Sequence, residues 1–259
     1  MTLPTPYSPS DHDASELLAA LTDETTRLGL TLDDAQRDTF ARYYTLLLDG
    51  NERAGLTAIT EADTIAHRLF GESLALLVAL RTAGYLTEGQ RARVADIGPG
   101  GGFPGLPMRI ADPALQFVLI ESQRRRCEFL ETAASALALD AVEVVNSRAE
   151  DAGRDPALRE TFDLVVVRAV APLAVLVEYA LPLLRIGGIL ATPKGSRAKD
   201  ERTEAQPAIT ALGGVELDPL PLSLPPDVQS QHVILVRREG PLDDRYPRRA
   251  GMPSKRPIS

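Results

Sequence analysis

Residues that hold metals or cross-link a chain are scarce in this sequence. One cysteine, Cys127, stands among 259 residues, which excludes an internal disulfide and cysteine-rich metal sites. The three histidines, His12, His67 and His232, are too scattered to give ligand spacing. No apolar run reaches the length that crosses a bilayer. The longest candidate, "LVVVRAVAPLAVLVEYALPLL", is interrupted by Arg168, Pro172, Glu178 and Pro182. The opening "MTLPTPYSPSDHDASELL" lacks the basic start and apolar block of a secretory signal. The expectation is a soluble, cytoplasmic chain with no membrane partner and no metal; a monomer is expected.

What is present is ordinary for a globular protein: 44% apolar and 25% charged residues. A net charge of −8 argues against a general, non-specific nucleic-acid binder. The charge is uneven, however. Arg237 to Ser259 carries seven Lys/Arg against three acidic residues, a local +4 that leaves −12 elsewhere. Such a strip suits a polyanion met at one edge, but a run of this kind is more often a solvated tail.

Residues 1–15, rich in Pro and Ser, are expected to be disordered. From Ser15 to Leu80 apolar residues fall at helical spacing (Leu17, Leu18, Leu21, Leu28; Phe40, Tyr43, Tyr44, Leu47, Leu48; Leu74, Leu77, Val78, Leu80), giving three or four helices with a break at "DGNERAG". After Gly89 short apolar runs alternate with helical segments: strands at 93–97, 116–121, 142–146, 162–169 and 188–192, helices at 104–111, 123–138, 172–184 and 199–213. That alternation indicates an α/β parallel sheet. The closing "GVELDPLPLSLPPDVQSQHVILVRRE" has two extended runs without a crossover helix, and these must pair antiparallel. A mostly parallel sheet with an antiparallel C-terminal hairpin is associated with class I (Rossmann-like) methyltransferases. The division expected is a disordered start and helical region over 1–88, then a methyltransferase domain with a basic tail over 89–259.

The stretch "VADIGPGGGFPG", Val94 to Gly105, places five glycines and two prolines directly after a strand and before a helix. Glycines let the main chain approach a ligand closely, and the prolines stiffen the segment, so a linker is the weaker reading. Asp96 ends the strand two residues before Gly98. A carboxylate there would repel a pyrophosphate but suit the ammonium and sulfonium of S-adenosylmethionine; alternatively it caps the turn through backbone N–H groups. Glu121, at the end of "FVLIES", can accept hydrogen bonds from ribose hydroxyls of either cofactor class, or serve as a carboxylate at the next helix's start. In "NSRAED", Ala149 and Glu150 stand where a loop would border an adenine.

Together "DIGPGGGFPGLP" (Asp96–Pro107), "SRAED" (Ser147–Asp151), "VVRAVAPL" (Val166–Leu173), "PKG" (Pro193–Gly195), "NERAGLTAIT" (Asn51–Thr60) and "YPRRAGMPSKRP" (Tyr246–Pro257) resemble the bacterial ribosomal small-subunit methyltransferase G family, also called the glucose-inhibited division B type. The resemblance runs from about Asp33 onward. It implies methylation of guanine N7 in 16S ribosomal RNA by S-adenosylmethionine, with the RNA or the 30S particle as partner. Cofactor contacts implied are Gly98, Phe103, Glu121, Ser122, Gln123, Ala149, Glu150 and Arg168. Two departures fall near the implied RNA side: Gly55 replaces an Asn, and "RLFGES" carries Leu69 at a His position and Glu72 at an Asp position.

The residues agree with such a target. The Asn/Asp-Pro-Pro-aromatic segment common in amine methylation is absent; "RAVAP" stands there. Cys127 lies within a helix beside three arginines and reads as a small buried residue rather than a nucleophile. Guanine N7 has a free lone pair and no proton to lose, so no general base is required and no catalytic residue is named; positioning can itself supply roughly 7–11 kcal/mol. Arg168, at a strand's carboxyl end, can fork onto a carboxylate or phosphate or form a structural ion pair. Lys194 could counter a phosphate or be simply exposed, and "QRRRCEF" could touch RNA backbone or be a solvated helix face. A nicotinamide-dependent oxidoreductase is the alternative enzyme, although the glycine spacing puts Phe103 where its fingerprint needs Gly. A ribosome-assembly factor that binds the cofactor without turnover is the third reading.

Overall fold

The computed structural model describes residues 11–225, 228–229 and 231–259. Helices α1 (Asp11–Leu28), α2 (Asp34–Ala54), α3 (Ala62–Ile65) and α4 (Glu72–Thr82) come first, with a π-helical turn over Ala66–Gly71 joining the last two. The disorder expected over 1–15 therefore gives way to helix from Asp11, and residues 1–10 lie outside the described residues. Helix α2 starts with a reciprocal capping box between Asp33 and Gln36. It runs through Gly50 and Asn51 and stops at Gly55, the last residue of the expected break "DGNERAG", in the left-handed conformation with φ +58°.

Strand and helix then alternate: β1 (Ala92–Ile97), α5 (Gly105–Ala111), β2 (Leu115–Glu121), α6 (Arg124–Ala136), β3 (Val142–Asn146), α7 (Ala149–Ala152), β4 (Phe162–Val166), α8 (Leu173–Ala180), β5 (Leu184–Lys194) and α9 (Ala198–Ala211). Short β6 (Gly214–Glu216) and β7 (Leu220–Pro221) precede β8 (His232–Arg238), and α10 (Met252–Lys255) lies in the tail. The sheet order is β3-β2-β1-β4-β5-β8-β6, with β7 paired to β8. The first five strands run parallel; β8 is antiparallel to both β5 and β6 and sits between them. This is the class I, Rossmann-like sheet with its antiparallel end.

Boundaries shifted where apolar runs outlast their partners. Strand β4 stops at Val166 rather than 169, since its register against β1 ends at Asp96↔Val166 and Ala169 turns the chain with φ +55°. Helix α8 ends at Ala180, ahead of Pro182, which cannot extend a helical ladder. Strand β5 begins at Leu184 and carries a register shift against β4 between Phe162 and Leu164.

Period-two alternation sorts the strand residues between two cores. Val94, Phe117, Leu119, Leu164 and Val166 pack with α1, α2, α4 and α5. Ala95, Ile97, Val118, Ile120, Val165 and Val167 pack with α7, α8 and α9. The helical region and one sheet face thus share a single hydrophobic core. That alternation also decides where the polar residues at the strand ends point.

Candidate functional site

The turn after β1 is built around glycines that no other residue could replace without strain. Gly98, Gly100 and Gly102 have φ of +67°, +58° and +103°. A Cβ on Gly102 would fall 2.5 Å from the Tyr43 hydroxyl and from Leu106, and one on Gly98 would fall 2.8 Å from Val170 Cγ2. Tyr43, on α2, is fully buried and donates its hydroxyl to the Gly101 carbonyl. The Phe103 ring turns into the helical region, stacked on Tyr43 with centroids 5.6 Å apart, and the Arg168 guanidinium lies over the Phe103 ring, 5.5 Å from its centroid.

Beside this turn lies a cleft of about 170 Å³ lined by Ile97, Gly98, Ile120, Glu121, Ser122, Ser147, Arg148, Ala149, Glu150, Val170 and Tyr179. Residues from the carboxyl ends of β1, β2 and β3 meet there, the place where ligands bind in open α/β sheets. Five of the eight residues expected in a cofactor site are in this lining: Gly98, Glu121, Ser122, Ala149 and Glu150. Glu121 is buried, and its Oε1 accepts from the Gln123 N–H at 2.9 Å while Oε2 accepts from the Gly100 N–H at 3.3 Å. Gln123 itself, at the start of α6, is exposed and outside the lining. Sequence reasoning missed Val170 and Tyr179. Tyr179 is the one hydroxyl in the apolar run "LAVLVEYALPLL", which was the available signal.

Phe103 and Arg168 lie on the opposite face. Arg168 continues the alternation of Leu164 and Val166 and so points toward the helical region. Its Nη1 donates to Glu72 Oε2 at 3.2 Å and to the Arg68 carbonyl at 3.1 Å. Burial lowers its pKa, opposed by the Glu72 and Asp96 charges. The structural ion pair considered for Arg168 is therefore present. A second, larger cleft of about 450 Å³ opens here, lined by Ile59, Arg68, Glu72, Arg168, Lys194 and Gln231 among others. Lys194 is neither exposed nor free: it pairs with Glu201 at 2.8 Å and donates to the Ala171 carbonyl. The loop Arg168–Ala171 divides the two clefts. Its left-handed Ala169 lets Arg168 line one and Val170 the other.

Asp96 corrects an expectation. It is completely buried, outside both linings, and its Oδ2 accepts from the Gly105 N–H at 2.7 Å, so it caps the turn from beneath. Its Oδ1 has no partner. Burial raises its pKa to about 7, with the Gly105 bond and Arg168 pulling the other way. The electrostatic case against a pyrophosphate, which assumed a charged Asp96 facing the ligand, does not survive this placement. Cys127 is buried as expected, its thiol donating to the Glu121 carbonyl.

Of the two departures on the implied RNA side, Gly55 has a backbone explanation: the left-handed cap it occupies suits Gly and Asn alike. Asn51 Oδ1 accepts from the Leu56 and Thr57 N–H groups just beyond, shaping the segment toward the turn. Leu69 is buried in the core, and Glu72 bridges Arg68 and Arg168. In α6, Arg124 pairs with Glu128 and Arg126 donates to the Gly55 carbonyl.

The basic tail is no solvated strand. Tyr246 is buried, Arg248 forks onto Glu178, which is 1% exposed, and Gly251 N–H donates to Glu150 Oε1 at 2.7 Å. Arg245, Arg249, Lys255 and Arg256 remain exposed.

Comparison with known proteins gives a consistent family. The model of rRNA small subunit methyltransferase G matches residues 36–223. The chain is 42% identical over 243 residues to "Ribosomal RNA small subunit methyltransferase G" of Desulfitobacterium hafniense, covering 94% of this chain and 97% of that one. It is 44% identical over 234 residues to the protein of the same name from Roseiflexus castenholzii, covering 90% and 96%. Among solved structures, the [4+2]-cyclase SpnF superposes with a TM-score of 0.52 at 18% identity over 80% of this chain and 97% of that one. A Corynebacterium glutamicum protein superposes with a TM-score of 0.50 at 19% identity over 86% and 98%. These two likenesses concern the fold.

Proposed function

The chain belongs to the rRNA small subunit methyltransferase G family, and from that premise we propose that it methylates N7 of a guanine in 16S ribosomal RNA with S-adenosylmethionine. The observation that carries the reading is the small cleft in which Gly98, Glu121, Ser122, Ala149 and Glu150, drawn from three strand ends, come together.

The residues fit that cofactor. Gly100 has open space where a Cβ would stand, so main chain alone faces a ligand at the turn. Glu121 Oε1 already accepts from the Gln123 N–H and the Ser122 hydroxyl, while Oε2 accepts only from the Gly100 N–H and keeps a lone pair for a ribose hydroxyl. Ala149 and Glu150 would border the adenine. Gln123 would act through its N–H on Glu121, and Phe103 through its hold on the turn. When bound, the cofactor supplies an electrophilic methyl group.

The chain's own work is positioning. The larger cleft on the far side of the Arg168–Ala171 loop would receive the guanine, with the half-exposed Arg68 offering a cationic donor to the RNA backbone. No residue needs to take a proton, because N7 already carries its lone pair. The partner would be the RNA or the 30S particle, met as a monomer in the cytoplasm.

The test is transfer of radiolabelled methyl from S-adenosylmethionine to small-subunit RNA from cells lacking the enzyme, followed by mapping of methylated guanines. One new 7-methylguanine is expected. No transfer to RNA or particle, by protein that binds the cofactor, would favour the assembly-factor reading instead.

A further inference from the structure

Helix α7, which carries Ala149 and Glu150 into the cleft, has only four residues. A single turn of helix does not hold itself in water, so its place must be fixed from outside. The fixing groups come from the other end of the chain. Gly251 N–H donates to Glu150 Oε1 at 2.7 Å. Pro247 packs on Gly153, where an added Cβ would lie 3.0 Å from Pro247 Cγ. Arg159 Nη1 donates to the carbonyls of both Gly153 and Tyr246, at 2.9 and 2.8 Å.

The same segment grips α8, the opposite side of the cleft. The Tyr179 hydroxyl, itself in the lining, bonds Ser254 Oγ at 2.8 Å. One residue earlier, Glu178 is sealed from water and receives both the N–H and the guanidinium of Arg248. Arg248 also donates to the Arg256 carbonyl at 2.8 Å, closing the segment on itself. Gly251 meets Glu150 with φ +81°, a geometry reserved in practice for glycine.

We propose that residues 246–256 are a clasp forming part of the cofactor site: Arg248 is a positioning residue that locks the clasp on Glu178, and the clasp fixes Glu150 and Tyr179 against the ligand. This rests on the reading of the small cleft as the cofactor site. It gives the tail a role beyond the two expected from its charge, a polyanion contact or a solvated run. The exposed cations Arg249, Lys255 and Arg256 lie on the same segment, so an RNA phosphate bound to them would load the clasp that shapes the cofactor cleft.

The test measures S-adenosylhomocysteine binding by calorimetry in the full chain, in Arg248→Gln and in Ser254→Ala, well below the melting temperature of each, with amide exchange followed in parallel. Arg248→Gln is expected to raise Kd by roughly five- to tenfold, the worth of about one net hydrogen bond. Exchange should quicken at residues 149–153 while β1 and β2 stay protected. Ser254 is exposed and its substitution leaves the Arg248–Glu178 pair intact, so Ser254→Ala carries the same test should Arg248→Gln not fold; about a twofold rise is expected. Full-length protein that does not bind S-adenosylhomocysteine overturns the cofactor reading and this inference with it. Full-length protein that binds, with Kd unchanged in the folded variants, overturns the clasp alone.

Discussion

Arg168 Nη1 lies 3.2 Å from Glu72 Oε2, and this pair ties the carboxyl end of a central strand to the helix that follows the π-helical turn. Glu72 holds Arg68 as well, at 3.2 Å, so one carboxylate orients two cations of the larger cleft.

Glu72→Gln should therefore lower stability by about 1–3 kcal/mol in urea unfolding at neutral pH, the usual cost of weakening hydrogen-bonded charge in a largely buried setting. Affinity for S-adenosylhomocysteine should stay within about twofold of the parent, since the pair faces away from the small cleft. RNA methylation should suffer through KM for RNA. A tenfold loss of cofactor affinity would show instead that Arg168 reaches the cofactor, as the family resemblance implied.

A second expectation concerns pH. Burial raises the Asp96 carboxyl from 3.8 to about 7. Over that interval the folded protein keeps a proton that the unfolded chain has released, so this group makes the fold less stable as pH rises from about 4 to about 7, by a few kcal/mol at most. Asp96→Asn can keep an acceptor for the Gly105 N–H and carries no charge. Urea unfolding at pH 5 and pH 8 should show the variant gaining on the parent protein at the higher pH. Parallel stabilities at the two pH values would refute the buried-acid account.

The glycine turn offers a third. Gly98→Ala forces a left-handed φ on a residue with a Cβ, costing about 1–2 kcal/mol, and crowds Val170. Stability and cofactor affinity should both fall. Adding Val170→Ala should restore part of the affinity by reopening the cleft while leaving the backbone cost, read as an unchanged melting temperature deficit.

Most of the sheet was legible because its strands are short apolar runs bounded by glycine and polar residues, as in Val142–Asn146, where expected and observed limits coincide. Errors fell where hydrophobicity outlives geometry: "FDLVVVRA" reads as one strand, but only a partner strand tells where pairing stops. In the site, glycine spacing and the acid at the tip of β2 drew attention to Gly98 and Glu121, which the fold brings together in the small cleft. The facing of Asp96 and Arg168 was not assigned, although the alternation that assigns it is written in Val94, Ala95, Leu164 and Val165; without the layers, nothing says which face holds which helices. The tail was least legible. Its charges suggest solvent or RNA, whereas its placement depends on Glu178 and Glu150, whose acidity is hidden in apolar or loop sequence far upstream.

The Tyr43 hydroxyl reaches the Gly101 carbonyl across 58 positions of chain. A gene divided between Thr82 and Ala92 would leave every residue of the small cleft's lining on one fragment and the tyrosine that props its glycine bend on the other. Reunited, they would rebuild that prop as α2 settles over the bend, which makes this junction a natural place to build a split reporter.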